Sequence, residues 1–479
     1  MSCSIPGILP FTAVDPAAGI CLLRIVYFTS VYRIKEDSMQ SMERRSSPEQ
    51  PLVAHRSGRA MQQFAIGTFL TALFCILLAG TALAQTNLTT LHQFLGVRGD
   101  GYYPIGDLTM DSQGSLYGVA KTQGYSIYQM TPPAINGGSW TKTTIYNGMS
   151  GIPVGAPIQP VIVGKDGALY GTAQNCAGTP WWFGCVFRLS NSGGAWSMQV
   201  IHYFQGAAQG DGRTPVLGKL VTDANGNLYG VTGSGGLSNE LSLSGTVYQL
   251  SPPAVPGGAW TETVLYKFNH GPGGFYNPKT ALAIDHNGAL YGATAYGVAP
   301  GKHGTQGVIY QLVPPPTPGG AWTIHVINNA IGGGYGSFVS QMTPAPSGAL
   351  YGVSSFAGGA FELMPPLTSG GTWTVNLLPA KGAGEHGWEL TRDANGVLYG
   401  INELNQTVYK MTPPSTPGGV WTYSVLHTFI GGSEGSYPTG RLVVDSSGHL
   451  FGATSNGGTG ACGGRLAKRP GCGTVFELQ

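Results

Sequence analysis

An eight-residue phrase, D-x-x-G-x-L-Y-G, recurs along the chain and constrains its fold more than any other feature. It first occurs as Asp111-Ser-Gln-Gly114-Ser-Leu-Tyr-Gly118, and its last glycine returns at 171, 230, 292, 352, 400 and 452. The steps between these glycines are 53, 59, 62, 60, 48 and 52 residues. Units of roughly 40–50 residues that each hold several strands are typical of propeller blades. Three copies depart from the phrase: the second has the shorter form Asp166-Gly-Ala-Leu-Tyr-Gly171, Ala345 replaces the Asp in the fifth, and Phe451 replaces the Tyr in the seventh.

Each copy reads as four short strands, a to d. Strand a leads into the Asp, and the D-x-x-G turn has the Asx and Gly chemistry that closes a tight hairpin. Strand b is the L-Y-G segment, and strand c is G-T-V-Y-x-L, as in Gly245–Leu250. Strand d begins at a tryptophan, which occurs at 140, 196, 260, 322, 373 and 421. This pattern predicts an all-β chain.

The two ends of the repeat array complement each other. The seventh copy stops after strand c, at Leu478, whereas Thr89–Phe94 matches the strand d sequence Ser424–Phe429. We therefore expect an all-β, seven-bladed β-propeller with four antiparallel strands per blade, its last blade completed by the N-terminal strand. Residues 85–479 would form one domain.

Composition excludes several classes of protein. The chain has 77 Gly and 33 Pro, but 42% of its residues are hydrophobic and 10% are aromatic, which excludes general disorder. A net charge of +2 without a basic stripe argues against a nucleic-acid partner. Each turn Asp supplies one carboxylate, whereas a calcium loop supplies several oxygen ligands, so we expect hydrogen-bonded turns, no metal site and no cofactor.

A targeting segment precedes the repeats. Phe64–Leu78 is apolar, follows Arg56 and Arg59, and leads to the small-x-small pattern Ala82-Leu-Ala84. We interpret 61–84 as a signal peptide and 1–60 as a disordered upstream extension or a misassigned start. An uncleaved anchor helix is the alternative. Cleavage would leave a secreted or periplasmic protein with no membrane span, and we expect it to be a monomer.

Four cysteines remain in the predicted domain, at 176, 185, 462 and 472. The first pair flanks the b–c loop of copy two, and the second pair flanks the equivalent loop of copy seven. This equivalence favours the disulfides Cys176–Cys185 and Cys462–Cys472, although four cysteines allow three connectivities. Disulfides agree with export.

The repeated phrases resemble those of the GloVer-type tandem-repeat family of exported bacterial proteins. The resemblance is carried by D-x-x-G-x-L-Y-G-x-T, G-T-V-F-x-L and F-x-G-G-x-x-G-x-x-P, and matches best over Phe429–Leu478. It extends over about Leu88 to Gln479. It implies a surface or secreted propeller and brings no common activity or catalytic residue. A C-terminal anchor is frequent in such proteins, and this chain ends on strand c instead.

The strand order separates the loops into two rims. We call the rim of d–a and b–c connections the variable rim and the rim of a–b turns and c–d loops the regular rim. Loops carry function on rigid scaffolds, so we expect any ligand on the variable rim, near the central channel. Candidate ligand-binding residues there are Trp181, Trp182, Phe183, Tyr102, Tyr103, Arg465 and Lys468. The aromatics suit the apolar faces of sugars or a protein partner, or else pack against a neighbouring blade.

The hypothesis that the protein is an enzyme depends on one short segment. Glu385, His386 and Glu389 supply two carboxylates and an imidazole, which suffice for acid–base chemistry if they face one cavity. The sequence shows no partner from another copy that completes a constellation. Our first hypothesis is therefore a binding or scaffold module for a polysaccharide or a cell-surface protein. An extracellular carbohydrate-active lyase or hydrolase and a structural envelope protein are the alternatives.

Overall fold

The computed structural model describes residues 87–97, 99–135, 137–148, 160–178, 183–215, 219–237, 244–269, 274–299, 302–317, 319–332, 339–354, 359–368, 370–379, 389–416, 419–462 and 471–479. The predicted upstream extension and signal peptide lie outside the described residues. Among those described, no helix combines the length and hydropathy needed to span a bilayer.

The described residues form seven antiparallel sheets. In chain order the strands are β1 (Leu88–Gln93), β2 (Tyr102–Met110), β3 (Leu116–Lys121), β4 (Tyr125–Thr131), β5 (Thr141–Gly148), β6 (Ile162–Val163), β7 (Leu169–Ala173), β8 (Cys185–Ser192), β9 (Ala195–Tyr203), β10 (Gly212–Pro215), β11 (Val221–Thr222), β12 (Leu228–Gly235), β13 (Thr246–Ser251), β14 (Thr261–Lys267), β15 (Tyr276–Pro278), β16 (Ala283–Ile284), β17 (Leu290–Ala299), β18 (Lys302–Val313), β19 (Thr323–Gly332), β20 (Thr343–Pro344), β21 (Leu350–Ser354), β22 (Gly359–Met364), β23 (Thr374–Leu377), β24 (Thr391–Arg392), β25 (Leu398–Asn402), β26 (Thr407–Thr412), β27 (Thr422–Thr428), β28 (Ser436–Val444), β29 (Leu450–Asn456) and β30 (Thr474–Leu478). Two 3-10 turns, Ala207–Gln209 and Gly432–Glu434, lie in d–a loops.

Blades one to six take consecutive strands in the order a-b-c-d, and strand a is split in two in blades three and four. Blade seven has the order β1-β30-β29-β28, so its outer strand comes from the N-terminal side of the domain. β1 and β30 pair antiparallel from Leu88–Leu478 to Gln93–Thr474. The seven-bladed propeller and its closure by the N-terminal strand are confirmed.

The turn aspartates hold their own hairpins. Asp111 Oδ1 accepts the backbone N–H groups of Gln113 and Ser115, both at 2.9 Å, and its Oδ2 accepts the Tyr117 hydroxyl at 2.8 Å. In the fifth copy, where Ala345 lacks a carboxylate, the hydroxyl of the equivalent tyrosine donates instead to Glu362 at 3.0 Å. These are the hydrogen-bonded turns that the sequence predicts.

The L-Y-G glycine has a packing role. The strand c aromatic ring lies directly over it, as Tyr128 does over Gly118, and an added Cβ would overlap that ring. Both ends of this contact recur in each blade, which explains why the two phrases repeat together.

The strand d tryptophans join neighbouring blades. Each packs against the strand b aromatic of the preceding blade, with ring centroids 5.6–6.2 Å apart. The pairs are Tyr117–Trp196, Tyr170–Trp260, Tyr229–Trp322, Tyr291–Trp373, Tyr351–Trp421 and Phe451–Trp140. Because these contacts repeat around the ring, they fix the packing of each blade against the next.

Candidate functional site

The predicted site residues are only partly described. Trp181, Trp182, Glu385, His386, Arg465 and Lys468 lie outside the described residues, so their roles stay predictions. Phe183, Tyr102, Tyr103, Glu389 and the four domain cysteines lie within them.

Both predicted disulfides are present, Cys176–Cys185 and Cys462–Cys472. Beside the first, Phe183 accepts the N–H of Thr214 on its carbonyl at 3.1 Å. The Arg213 guanidinium lies 5.6 Å from the centroid of the Phe183 ring, a cation–π contact. The b–c loop of blade two is therefore attached to β10, the first part of strand a of blade three.

Tyr102 and Tyr103 lie at the junction of blades seven and one. Tyr103 has φ 47° and donates its N–H to the Cys472 carbonyl at 2.7 Å. A positive φ immediately before a proline is unusual, and the hydrogen bond to the preceding blade supports it. Tyr102 donates its hydroxyl to the Thr122 carbonyl at 2.9 Å. Both residues make structural contacts, and their part in ligand binding stays a prediction.

Two cavities open on the regular rim at equivalent junctions. The larger, about 1360 Å³, lies between blades seven and one and extends inward to Lys219, Thr391 and Arg441. The smaller, about 710 Å³, lies between blades two and three. We call them groove 7/1 and groove 2/3.

The two grooves share one frame. Each is lined by the strand d tryptophan, Trp140 or Trp260, and by the adjacent Pro-Pro pair of the c–d loop. Each also exposes residues of two a–b turns and a long polar side chain from strand c, which is Glu477 in groove 7/1 and Arg188 in groove 2/3. The repeated blade thus produces the same concave groove at both junctions, but with different polar side chains in each.

A cluster of charged residues lies at the inner end of groove 7/1. Asp107, Lys219, Glu389 and Arg441 each stand immediately before a buried leucine in the strand a region of their blades. Lys219 Nζ lies 3.1 Å from Asp107 Oδ2, and the Arg441 N–H donates to Asp107 Oδ1 at 2.7 Å. Asp107 thus contacts the Lys219 side chain of blade three, the Arg441 backbone of blade seven and Glu389 of blade six. The sequence did not reveal these residues as partners of Glu389.

The environment of Glu389 favours its protonated form. Burial, together with the charge of Asp107, raises the pKa of Glu389 to about 8, against the opposing charges of Arg441 and Lys219. Its Oε2 is out of contact with solvent and has no hydrogen-bond partner among the described residues.

A second set of polar groups comes from strand d and the d–a loop. His92, His202 and His427 each stand two residues before a phenylalanine and face a carboxylate four residues before the loop proline. The pairs are His92–Asp100 at 2.9 Å, His202–Asp211 at 3.5 Å and His427–Glu434 at 3.3 Å. The paired pattern H-x-F…[D/E]-x-x-x-P was visible in the sequence, but only the structure shows that its ends meet.

A third position, two residues after the tryptophan, distinguishes the first two pairs. At the junction of blades seven and one it is Lys142, whose Nζ donates to Asp100 Oδ1 at 3.0 Å. Burial opposes ionisation of Asp100, but hydrogen bonds from His92, the Leu95 N–H and Lys142 outweigh it and lower its pKa to about 2.

At the junction of blades two and three the third position is Glu262, 3.7 Å from His202. Burial and the nearby Asp211 charge raise the pKa of Glu262 well above its usual range, while Lys267 lowers it. The equivalent positions thus hold the Lys142 ammonium group at one junction and the Asp211 and Glu262 carboxyl groups at the other.

Comparison with known families agrees with this architecture. The model of the Gloeobacter/Verrucomicrobia repeat matches residues 121–362, just over half of the chain. The chain belongs to this repeat family. A second family model, described as Tachylectin, matches residues 304–465. No curated protein matches this member of the Gloeobacter/Verrucomicrobia repeat family in sequence.

Several solved structures are similar to this chain. A streptogramin B lyase is 12% identical with a TM-score of 0.50, over 83% of this chain and 99% of that one. Virginiamycin B lyase from Staphylococcus aureus is 13% identical with a TM-score of 0.49, over 82% and 99%. A gluconolactonase from Xanthomonas campestris is 12% identical with a TM-score of 0.38, over 83% and 92%. At these identities the likeness concerns the fold alone.

Proposed function

We propose that this protein is an exported binding module that engages carbohydrate through the grooves between its blades. The observation that carries the proposal is the recurrence of one groove frame at two junctions. A frame repeated by the blade offers several equivalent sites on one rigid ring, which favours repetitive ligands such as polysaccharides.

The groove walls have the chemistry that sugars require. The faces of Trp140 and Trp260 suit the apolar faces of pyranose rings, and both side chains are only partly buried. Around them are hydrogen-bonding groups of both kinds, such as Asp445 and Gln113 in groove 7/1 and Arg188 and Asn225 in groove 2/3. The match to a family named for a lectin supports the same ligand class.

Export is the second part of the proposal. Two disulfides indicate a non-reducing compartment. Expression of the full chain in a Gram-negative host, followed by mass measurement of the exported product, tests it. A chain that begins at Gln85 supports cleavage of a signal peptide, and retention of the whole chain in the cytoplasm contradicts export.

Binding is tested by incubating the purified protein with a polysaccharide panel and scoring retention and product release together. We expect retention with no product. Loss of a stacked ring costs about 1.5 kcal/mol, so W260L should weaken binding to groove 2/3 roughly tenfold. N225A is a milder variant that leaves the Tyr170–Trp260 contact intact, and circular dichroism checks the fold of both.

The variable rim supplies the control. If W181A/W182A abolishes retention while W260L and N225A leave it unchanged, the ligand binds the disulfide-closed loop of blade two and the groove assignment is wrong. If the protein retains no polysaccharide at all, a structural envelope role or a protein partner replaces the carbohydrate proposal.

An enzyme that acts on carbohydrate is the second candidate, and one observation favours it. Glu389 has a raised pKa and lies in a charged cluster of which Lys219 and Arg441 line groove 7/1, an environment frequent at acid–base sites. Release of unsaturated or shortened sugars that is abolished by E389Q would support this candidate over a binder.

A further inference from the structure

We infer that His202, Asp211 and Glu262 form a binding site for a divalent transition-metal ion of the Zn²⁺ or Mn²⁺ type between blades two and three. One ligand atom from each residue lies within 4.8 Å of the others. His202 comes from the end of β9, Asp211 from the d–a loop and Glu262 from β14, so a bound ion would join two blades.

The spacing fits a metal centre. His202 Nε2 lies 3.5 Å from Asp211 Oδ2 and 3.7 Å from Glu262 Oε2. Ligands about 2.1 Å from a tetrahedral ion stand roughly 3.4 Å apart, so small side-chain movements would complete the coordination. Both His202 distances are too long for good hydrogen bonds. The Glu262 and Asp211 carboxyl groups are hydrogen-bonded to each other, and a bound ion would displace the proton that they share.

Two of the atoms lack any partner. His202 Nε2 and Glu262 Oε1 are out of contact with solvent and form no hydrogen bond within the described part of the chain. Asp211 is held in place by the N–H of Gln205 at 2.7 Å, and the His202 ring packs edge-on against Phe204 with centroids 4.8 Å apart. The ligands are therefore oriented before any ion binds.

The equivalent junction shows what the site lacks. Between blades seven and one the same histidine and aspartate positions, His92 and Asp100, face the Lys142 ammonium. At the position of Lys142, blade three has Glu262, which replaces the cation with a second carboxylate. Lys267 acts on Glu262 through its charge, but no hydrogen bond joins them among the described contacts. A bound cation would restore the balance that Lys142 supplies at the other junction.

The ligand set selects the type of ion. Ca²⁺ and Mg²⁺ prefer oxygen ligands throughout, whereas one imidazole and two carboxylates suit Zn²⁺ or Mn²⁺. Three protein ligands leave a fourth position for water. The third histidine pair, His427–Glu434, has Leu88 at the position of Glu262 and is a natural control without a third ligand.

The test exchanges the two junctions. The purified protein is stripped with EDTA, titrated with Zn²⁺ by calorimetry and, separately, with Ca²⁺, and its melting temperature is recorded. We expect one Zn²⁺ per chain, a rise in melting temperature with Zn²⁺ and none with Ca²⁺. E262K should bind no Zn²⁺ yet remain folded, because it copies the Lys142 arrangement, and H202A should weaken Zn²⁺ binding at least a hundredfold.

The reciprocal variant adds a gain of function. K142E should raise the stoichiometry to two Zn²⁺ per chain, because it places a carboxylate beside His92 and Asp100. A wild-type protein that binds no Zn²⁺ overturns the inference. So does Zn²⁺ binding by E262K at the wild-type affinity and stoichiometry, since that binding would belong to other surface histidines. None of these outcomes depends on whether the grooves bind carbohydrate.

Discussion

Lys219 of blade three forms an ion pair with Asp107 of blade one, with 3.1 Å between Nζ and Oδ2, although blade two separates them along the chain. Their side chains are only 11% and 9% exposed. Lys219 Nζ also donates to the Leu108 carbonyl at 3.0 Å. The pair therefore links blades that are not neighbours.

We expect K219M to lower the free energy of unfolding by about 3 kcal/mol, because it leaves a buried carboxylate without its cation. Urea unfolding measures this. The control is D107N/K219M, which removes both charges and should cost less than the sum of the two single variants. An additive double variant would mean that the two groups do not interact.

The raised pKa of Glu389 predicts that the free energy of unfolding falls as the pH rises. Its pKa is raised to about 8, so between the ordinary glutamate range near 4.5 and about 8 the folded state holds a proton that the unfolded state has lost. The contribution of Glu389 to the free energy of unfolding is fully present below that window. It is lost as the pH rises through the window, by at most about 1.4 kcal/mol per pH unit. E389Q stays neutral, so its unfolding free energy, measured at pH 5, 7 and 9, should fall less steeply. Parallel curves for the two proteins would contradict the prediction.

The two disulfides should contribute similarly, since both close short loops. C176S/C185S and C462S/C472S are each expected to lower the unfolding free energy by about 2–3 kcal/mol. The second pair borders the blade that closes the ring, so its loss should also increase protease cleavage near β1 and β30. Unchanged melting temperatures after reduction would show that neither bridge contributes.

Each turn aspartate should contribute individually to the stability of the fold. Asp285 accepts the N–H groups of Asn287 and Ala289 and the Tyr291 hydroxyl, all at 2.9 Å. D285A should therefore cost about 2 kcal/mol, and Y291F, which removes one of these bonds, should cost less. Thermal unfolding compares them. A larger loss in Y291F would mean that the second hydrogen bond of this hydroxyl, which it accepts from Gln311 at 2.9 Å, contributes more than the turn.

The repeated phrases predicted most of the fold. The turn aspartates, the strand d tryptophans and the match of Thr89–Phe94 to Ser424–Phe429 gave the blade, its strand order and its closure. The disulfide pairing followed from the equivalent places of Cys176 and Cys462 in two copies. All of these are local or periodic features, which a single chain displays directly.

The candidate site was less accessible to sequence. Glu389 was singled out, but its partners Asp107, Lys219 and Arg441 were not, because each belongs to a different blade. The histidine–carboxylate pairs recur in the sequence, yet their pattern does not say that residue 142 or 262 lies beside them. The shape of the grooves depends on how each strand d tryptophan packs against the preceding blade.

By itself, then, the sequence determined the number of blades, the strands within each blade and the covalent bridges, because short-range turn chemistry and periodicity specify them. Only the tertiary structure decided that Asp107 and Arg441, 334 positions apart, meet at the centre of the ring. It also decided that Glu262, where another junction has Lys142, faces a histidine and an aspartate. The physical reason is that packing between blades, rather than any local preference, brings these charges together.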